Sequence, residues 1–220
     1  MPAQPTVVIS AQMEAYSREP NTHLTTIGSK AFSYCDELAS VVIPDSVTDV
    51  GSEAFRYCPK LRSVQLSASM SRINSMTFSG CTALETIDIP GSITAIDSEA
   101  FRGCESLTAV SIPDSVTTLG NHVFNSCIAL QEVQLPGALT SISTGLFASC
   151  TALESIEIPE TVTTINGYAF SGCTALKEIH FPSTLTTIPK VDSMKPCKLT
   201  LSNESMAKSI SRWSLGFIFT

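Results

Sequence analysis

Positive charge is scarce in this chain and missing from its middle. Lys and Arg total 13 against 20 Asp and Glu, and no Lys or Arg occurs between Gly103 and Leu176. Six acids do fall there: Glu105, Asp114, Glu132, Glu154, Glu157 and Glu160. With a formal charge of -7, nucleic acid and anionic membranes are not expected partners, because both need a basic footprint. Charged residues of either sign make up only 15%, below the roughly 25% usual for globular chains, so Ser, Thr and Asn must form much of the surface. The hydrophobic share of 43% is ample for a core.

Long apolar runs are missing as well. None reaches the roughly 18 residues that mark a membrane-spanning helix, so no direct membrane insertion is expected. The start, MPAQPTVVISAQ, has no basic segment ahead of an apolar one, so no secretory signal is expected, and a complete chain would then stay inside the cell. The end, LGFIFT at 215–220, is apolar but short; it packs against the domain or marks where a longer chain was cut.

The ingredients of catalysis are thin. His23, His122 and His180 are far apart in sequence, and there is no Gly-rich phosphate loop, no C-x-x-C pair and no Ser elbow. His180 and Glu178 fall two apart on one strand and read as a solvated pair. No enzyme, no cofactor and no metal site is expected.

What the chain does contain is a repeat. Phe recurs at 32, 55, 78, 101, 124, 147 and 170, always 23 residues apart. Cys keeps the same step from Cys35 to Cys173, and so does Leu from Leu38 to Leu176. The unit reads I-x-x-x-A-F-x-x-C-x-x-L-x-x-V-x-I-P-x-S-V-T-x. A fixed apolar frame with variable residues between is the mark of a solenoid, in which each coil buries its inner face against its neighbours.

Within a coil L-x-x-V-x-I alternates as a strand does, with Val41 and Ile43 inward and Val42 outward. Equivalent strands run the same way, so they stack as a parallel sheet, and Pro44 and its equivalents end them. V-T-x-I is expected to make a second short ladder on another side. Gly28, Gly51, Asn74 and their equivalents follow, residues that tolerate a left-handed backbone or cap a helix, and a short helical turn through Ala-Phe is expected next. The fold class expected is therefore α/β: a parallel sheet with short helical turns.

Between an inward Phe and an inward Leu, the Cys residues form an interior column and behave as small apolar side chains. Zinc needs ligands at two-to-four-residue spacing, which is missing. Parallel side chains on stacked coils leave the Cβ atoms further apart than the roughly 3.8 Å a bridge prefers, so free thiols are expected, with Cys197, in the degenerate last coil, still able to pair.

Residues 1–26 read as an N-terminal cap, 27–187 as seven 23-residue repeats, and 188–220 as a degenerate last repeat with a C-terminal helical cap. Val7–Ser10 (VVIS) resembles Val41–Pro44 (VVIP), and Ser10–Glu19 looks helical. Asn203 caps a helix with Met206, Ile210 and Trp213 on one face, Trp213 serving as a lid.

The frame, as in AFSYCDELASVVIPDSVTDVG at 31–51, resembles the BspA-like leucine-rich repeats, and the likeness runs over residues 24–188. The resemblance implies a leucine-rich-repeat solenoid with the L-x-x-V-x-I strands on its concave side. It also implies a surface-associated protein of the kind linked to adhesion or host-protein binding, with no catalytic or ligand residues carried over. Departures from the frame are Ser67 in place of Pro, and Thr77, Val123 and Leu146 in place of Ala.

The variable strand positions are where function is expected. Gln65, Asp88, Ser111, Gln134, Glu157 and His180 point outward between Val and Ile, while Glu132 and Glu178 lie just before the inward residue. Varied side chains on a stiff sheet suit protein binding, and the acids suit a basic partner. An architectural subunit of a larger assembly is the alternative. Thr48 and its equivalents to Thr186 form a further ladder; flat Thr arrays can bind ice, but Thr is also a good β former at exposed positions.

Overall fold

The computed structural model describes residues 6–8 and 24–188. The expected N-terminal helix, the degenerate last coil with Cys197 and the C-terminal helix with Trp213 lie outside them.

Each 23-residue turn of chain has three hydrogen-bonded sides. The first is made by β1 (Thr6–Val8), β3 (Ser40–Val42), β5 (Ser63–Gln65), β7 (Thr86–Ile87), β9 (Ala109–Ser111), β11 (Glu132–Gln134), β13 (Ser155–Glu157) and β15 (Glu178–His180). All pairings on it are parallel, in three sets: β1-β3-β5-β7, β9-β11 and β13-β15. Val7 pairs with Val41 and Val8 with Val42, the register that the VVIS and VVIP likeness demands.

The second side is the expected V-T-x-I ladder, also parallel. It comprises β2 (Thr26–Ile27), β4 (Asp49–Val50), β6 (Arg72–Ile73), β8 (Ala95–Ile96), β10 (Thr118–Leu119), β12 (Ser141–Ile142) and β14 (Thr164–Ile165).

The third side corrects the sequence reading. The Ala-Phe segments are turns, and no helix occurs among the described residues, so this is a β-solenoid and α/β fits it only loosely. The reason is pitch: an α-helix with its side chains is about 10–12 Å wide, whereas strands stack about 4.8 Å apart. A helix in every coil would need the stack to curve, with the strands on the inside of the bend; here the third side keeps the strand spacing. Its alternate N–H groups point at the next coil. Glu53, Phe55 and Tyr57 donate to the carbonyls of Ser75, Thr77 and Ser79 at 3.0, 2.9 and 2.8 Å. Left-handed residues on either side of each Phe, such as Glu53 (φ 59°) and Tyr57 (φ 55°), flatten the segment and stop a helix from propagating.

The first left-handed residue of each pair, as in Lys30, Glu53 and His122, falls two places beyond Gly28, Gly51 and Gly120, none of which takes a positive φ. Gly51 and Gly120 are needed for a different reason: a Cβ on either would collide with the backbone of Ser29 or Ser98 in the preceding coil.

The interior matches the frame. Val41 and Ile43 are buried with the half-buried Val42 between them. Phe32, Phe55, Phe78, Phe101, Phe124, Phe147 and Phe170 stack as one spine, with ring centroids 5.2 to 5.8 Å apart and planes within 15° of parallel. Each of the six after Phe32 is fully buried, which contributes roughly 1.5–3 kcal/mol per ring. Polar departures from the frame are satisfied: the Ser67 hydroxyl donates to the Val47 carbonyl at 2.6 Å, and that of Thr77 to the Asn74 carbonyl at 2.7 Å.

Candidate functional site

Alternation along the odd-numbered strands decides which side chains reach solvent. One residue of each strand is held inward by the core, so its neighbours must point out. Gln65, Asp88, Ser111, Glu132, Gln134, Glu157 and His180 are all exposed. Register then sorts them into rows. Val42 lies opposite Gln65, Ser111 opposite Gln134, and Glu157 opposite His180; Ala109 lies opposite Glu132, and Ser155 opposite Glu178.

The face comes in segments. Gln65 ends β5, and Asp88 falls one residue past the end of β7, so the two are not paired. Ser111, Glu132 and Gln134 belong together on β9 and β11, where the Ser111 hydroxyl donates to Gln134 Oε1 at 3.0 Å. These residues, with Ala109, Val110 and Val133, line a shallow depression of about 260 Å³. Glu157, Glu178 and His180 form the next group, on β13 and β15. The neighbour directly across from His180 is Glu157, a pairing visible in the sequence only as a 23-residue offset.

Charge on this face is unbalanced. Just before the strands, Arg62 pairs with Glu85 at 3.0 Å and Lys177 with Glu154 at 2.8 Å, each across one coil step. The Lys177 ammonium holds the Glu154 carboxyl below its ordinary range. No ion pair among the described residues engages Asp88, Glu132 or Glu157.

Two other rows face inward chemically. The seven described cysteines are free thiols, and Cys58, Cys81, Cys104, Cys127, Cys150 and Cys173 are buried. Each of these donates to the carbonyl of the Phe one coil earlier, at 3.0 to 3.3 Å. They are therefore hydrogen-bond donors as well as packing groups. Burial pushes the thiols of Cys104 and Cys127 well up, and that of Cys150 to about 12. In the Thr row, Thr94 and Thr186 hydroxyls donate to the carbonyls of Ser71 and Thr163, at 3.1 and 3.0 Å. Their protons serve the ladder rather than an outside ligand.

One exposed group escaped the sequence reading. On the third side Tyr34 and Tyr57 lie against each other with centroids 5.2 Å apart, and the Arg56 guanidinium sits 4.7 Å from the Tyr57 ring centre. The signal was present: at the variable position two after the repeat Phe, Tyr stands where other coils have Gly or Ser.

A stack of 23-residue coils with a parallel strand, a buried Leu and a stacked inward Phe in each defines a leucine-rich-repeat β-solenoid. The chain belongs to the BspA-type leucine-rich repeat family, whose repeat region it matches over residues 16–127 and 94–212, in six copies. A leucine-rich repeat protein from Bacteroides ovatus is 30% identical with a TM-score of 0.79, over 89% of this chain and 50% of that one. The T. pallidum leucine-rich repeat protein is also 30% identical, with a TM-score of 0.69 over 78% of this chain and 77% of that one. A leucine-rich repeat protein from Eubacterium ventriosum, 20% identical over 82% of this chain and 64% of that one, shares the fold with a TM-score of 0.58. The chain spans half the length of the Bacteroides ovatus protein. No curated protein matches it.

Proposed function

We propose that this chain is a non-catalytic protein-binding module whose odd-strand face receives a basic partner. The observation that carries the reading is the contrast between frame and face: the inward residues repeat every 23 positions, while the outward ones on the same strands change from coil to coil. A stiff scaffold that holds varied side chains in place loses little entropy when it binds. Glu132 and Glu157, with Glu178 placed by register on the same strands, supply an acidic surface whose cations are already engaged elsewhere. Complementary charge raises the rate of encounter and excludes acidic competitors. An adhesive role at a cell surface, which the family resemblance suggests, is one setting in which such a face serves.

The test is to capture a binding protein from the native source and compare its affinity for the wild-type chain and for the triple variant Glu132→Lys, Glu157→Lys, Glu178→Lys. Loss of binding in the variant, with its melting temperature retained, is the expected result. Unchanged affinity would remove the acidic face from the account.

A further inference from the structure

The third side carries a second set of groups that the fold does not require. Tyr34 and Tyr57 are 65% and 41% exposed and sit at φ 62° and 55°. That backbone suits glycine, and the same place in later coils holds Gly80, Gly103 and Gly172, or the small Ser126 and Ser149. Two large rings are thus held out to solvent on a backbone that a smaller residue would adopt more easily. They are also held firmly. The Tyr57 ring lies over Gly80, where an added Cβ would run into it, and Tyr34 packs against Tyr57. Arg56 donates to the Tyr57 hydroxyl at 3.3 Å while lying beside its ring.

Charge at this place differs from the rest of the molecule. Five of the described cations, Lys60, Arg62, Arg72, Arg102 and Lys177, each have a carboxylate of their own. Lys30 and Arg56 instead share one, Glu53, at 3.5 and 2.6 Å. Among the described ion pairs, the one carboxylate shared by two cations therefore lies beside the exposed tyrosines. Tyr and Arg are also the side chains that most often anchor protein interfaces, and rings fixed before binding lose little freedom on contact.

We propose that Tyr34, Arg56 and Tyr57, with Lys30, form a second docking surface for an acidic segment of a partner protein. A partner carboxylate is shared between Lys30 and Arg56, and a neighbouring apolar side chain packs on the Tyr34 ring. This surface is on a different wall from the strand face and does not depend on it.

The test pans a display library of random dodecapeptides against the full chain. Enriched peptides are then measured on wild type, on Tyr34→Ser/Tyr57→Ser, on Arg56→Ser and on Glu132→Lys/Glu157→Lys. Serine already stands at these places as Ser126 and Ser149, and as Ser33 and Ser79, so the coils accommodate it; melting curves verify this. The expected result is enrichment of acidic peptides. Their affinity falls about tenfold or more in the tyrosine variant, falls in Arg56→Ser and with added salt, and holds in the strand-face variant. Enrichment of basic or uncharged peptides, binding that survives Tyr34→Ser/Tyr57→Ser, or no tyrosine-dependent binder at all overturns the proposal.

Discussion

The thiol of Cys104 donates to the carbonyl of Phe78 across one coil step, at 3.3 Å, and that carbonyl also accepts the backbone N–H of Cys81 at 3.2 Å. The two conspicuous rows of the sequence are thus one device, in which each sulfur ties the aromatic spine of one coil to the next. Cys104→Ala removes the donor and leaves a small void. It should lower stability by about 1–2 kcal/mol, read from urea unfolding at pH 7; an unchanged midpoint would show that the bond contributes nothing.

The spine itself is a stronger test of nearest-neighbour coupling. Phe101 lies between Phe78 and Phe124, with centroids 5.6 and 5.7 Å away. Phe101→Ala should cost about 3–5 kcal/mol. Because each coil contacts only its neighbours, the unfolding transition should broaden or split as the two halves uncouple.

Alkaline pH should weaken the fold through the thiols. Burial holds the folded pKa values of Cys104, Cys127 and Cys150 above the unfolded value of about 8.5. Below that pH both states keep their protons and the thiols' contribution is complete. Above it the unfolded chain ionises first, so stability falls by about 1.4 kcal/mol per thiol per pH unit until the folded pKa is reached, about 12 for Cys150. Cys150→Ala should lose stability less steeply with pH than wild type over that window. Parallel slopes would contradict the assignment.

Close approach of coils makes a paired prediction at glycine. Gly120→Ala drives a Cβ into the Ser98 backbone, whereas a Cβ at Gly91 meets nothing. The first should destabilise by about 1–3 kcal/mol and the second should be near neutral, by thermal unfolding of both variants.

Most of the fold was legible because the period is exposed in the residues themselves: the Phe, Cys and Leu steps, and the likeness of Val7–Ser10 to Val41–Pro44, carry the register directly. The helical turn was misread because Ala-Phe flanked by capping residues looks helical locally, while the hydrogen bonds that take its place, such as Phe55 N–H to the Thr77 carbonyl, reach into the neighbouring coil. The same locality hid the thiol bonds, which join residues 26 apart. On the strand face, alternation placed Gln65, Ser111, Glu132, Gln134, Glu157 and His180 outward correctly. What alternation does not convey is the segmentation that leaves Asp88 beyond its strand. Tyr34 and Tyr57 were passed over because an exposed aromatic beside the repeat Phe reads as frame variation until its left-handed backbone is seen.

The account rests on a dry interior column with function left to the outer faces, and site-resolved alkylation tests this most directly. The native protein is treated with iodoacetamide at pH 8, and each cysteine is quantified by mass spectrometry before and after unfolding. The half-buried Cys35 should label in the native state, while Cys58, Cys81, Cys104, Cys127, Cys150 and Cys173 label only once the chain is unfolded. Native labelling of Cys104 or Cys127 at the rate of Cys35 would contradict it.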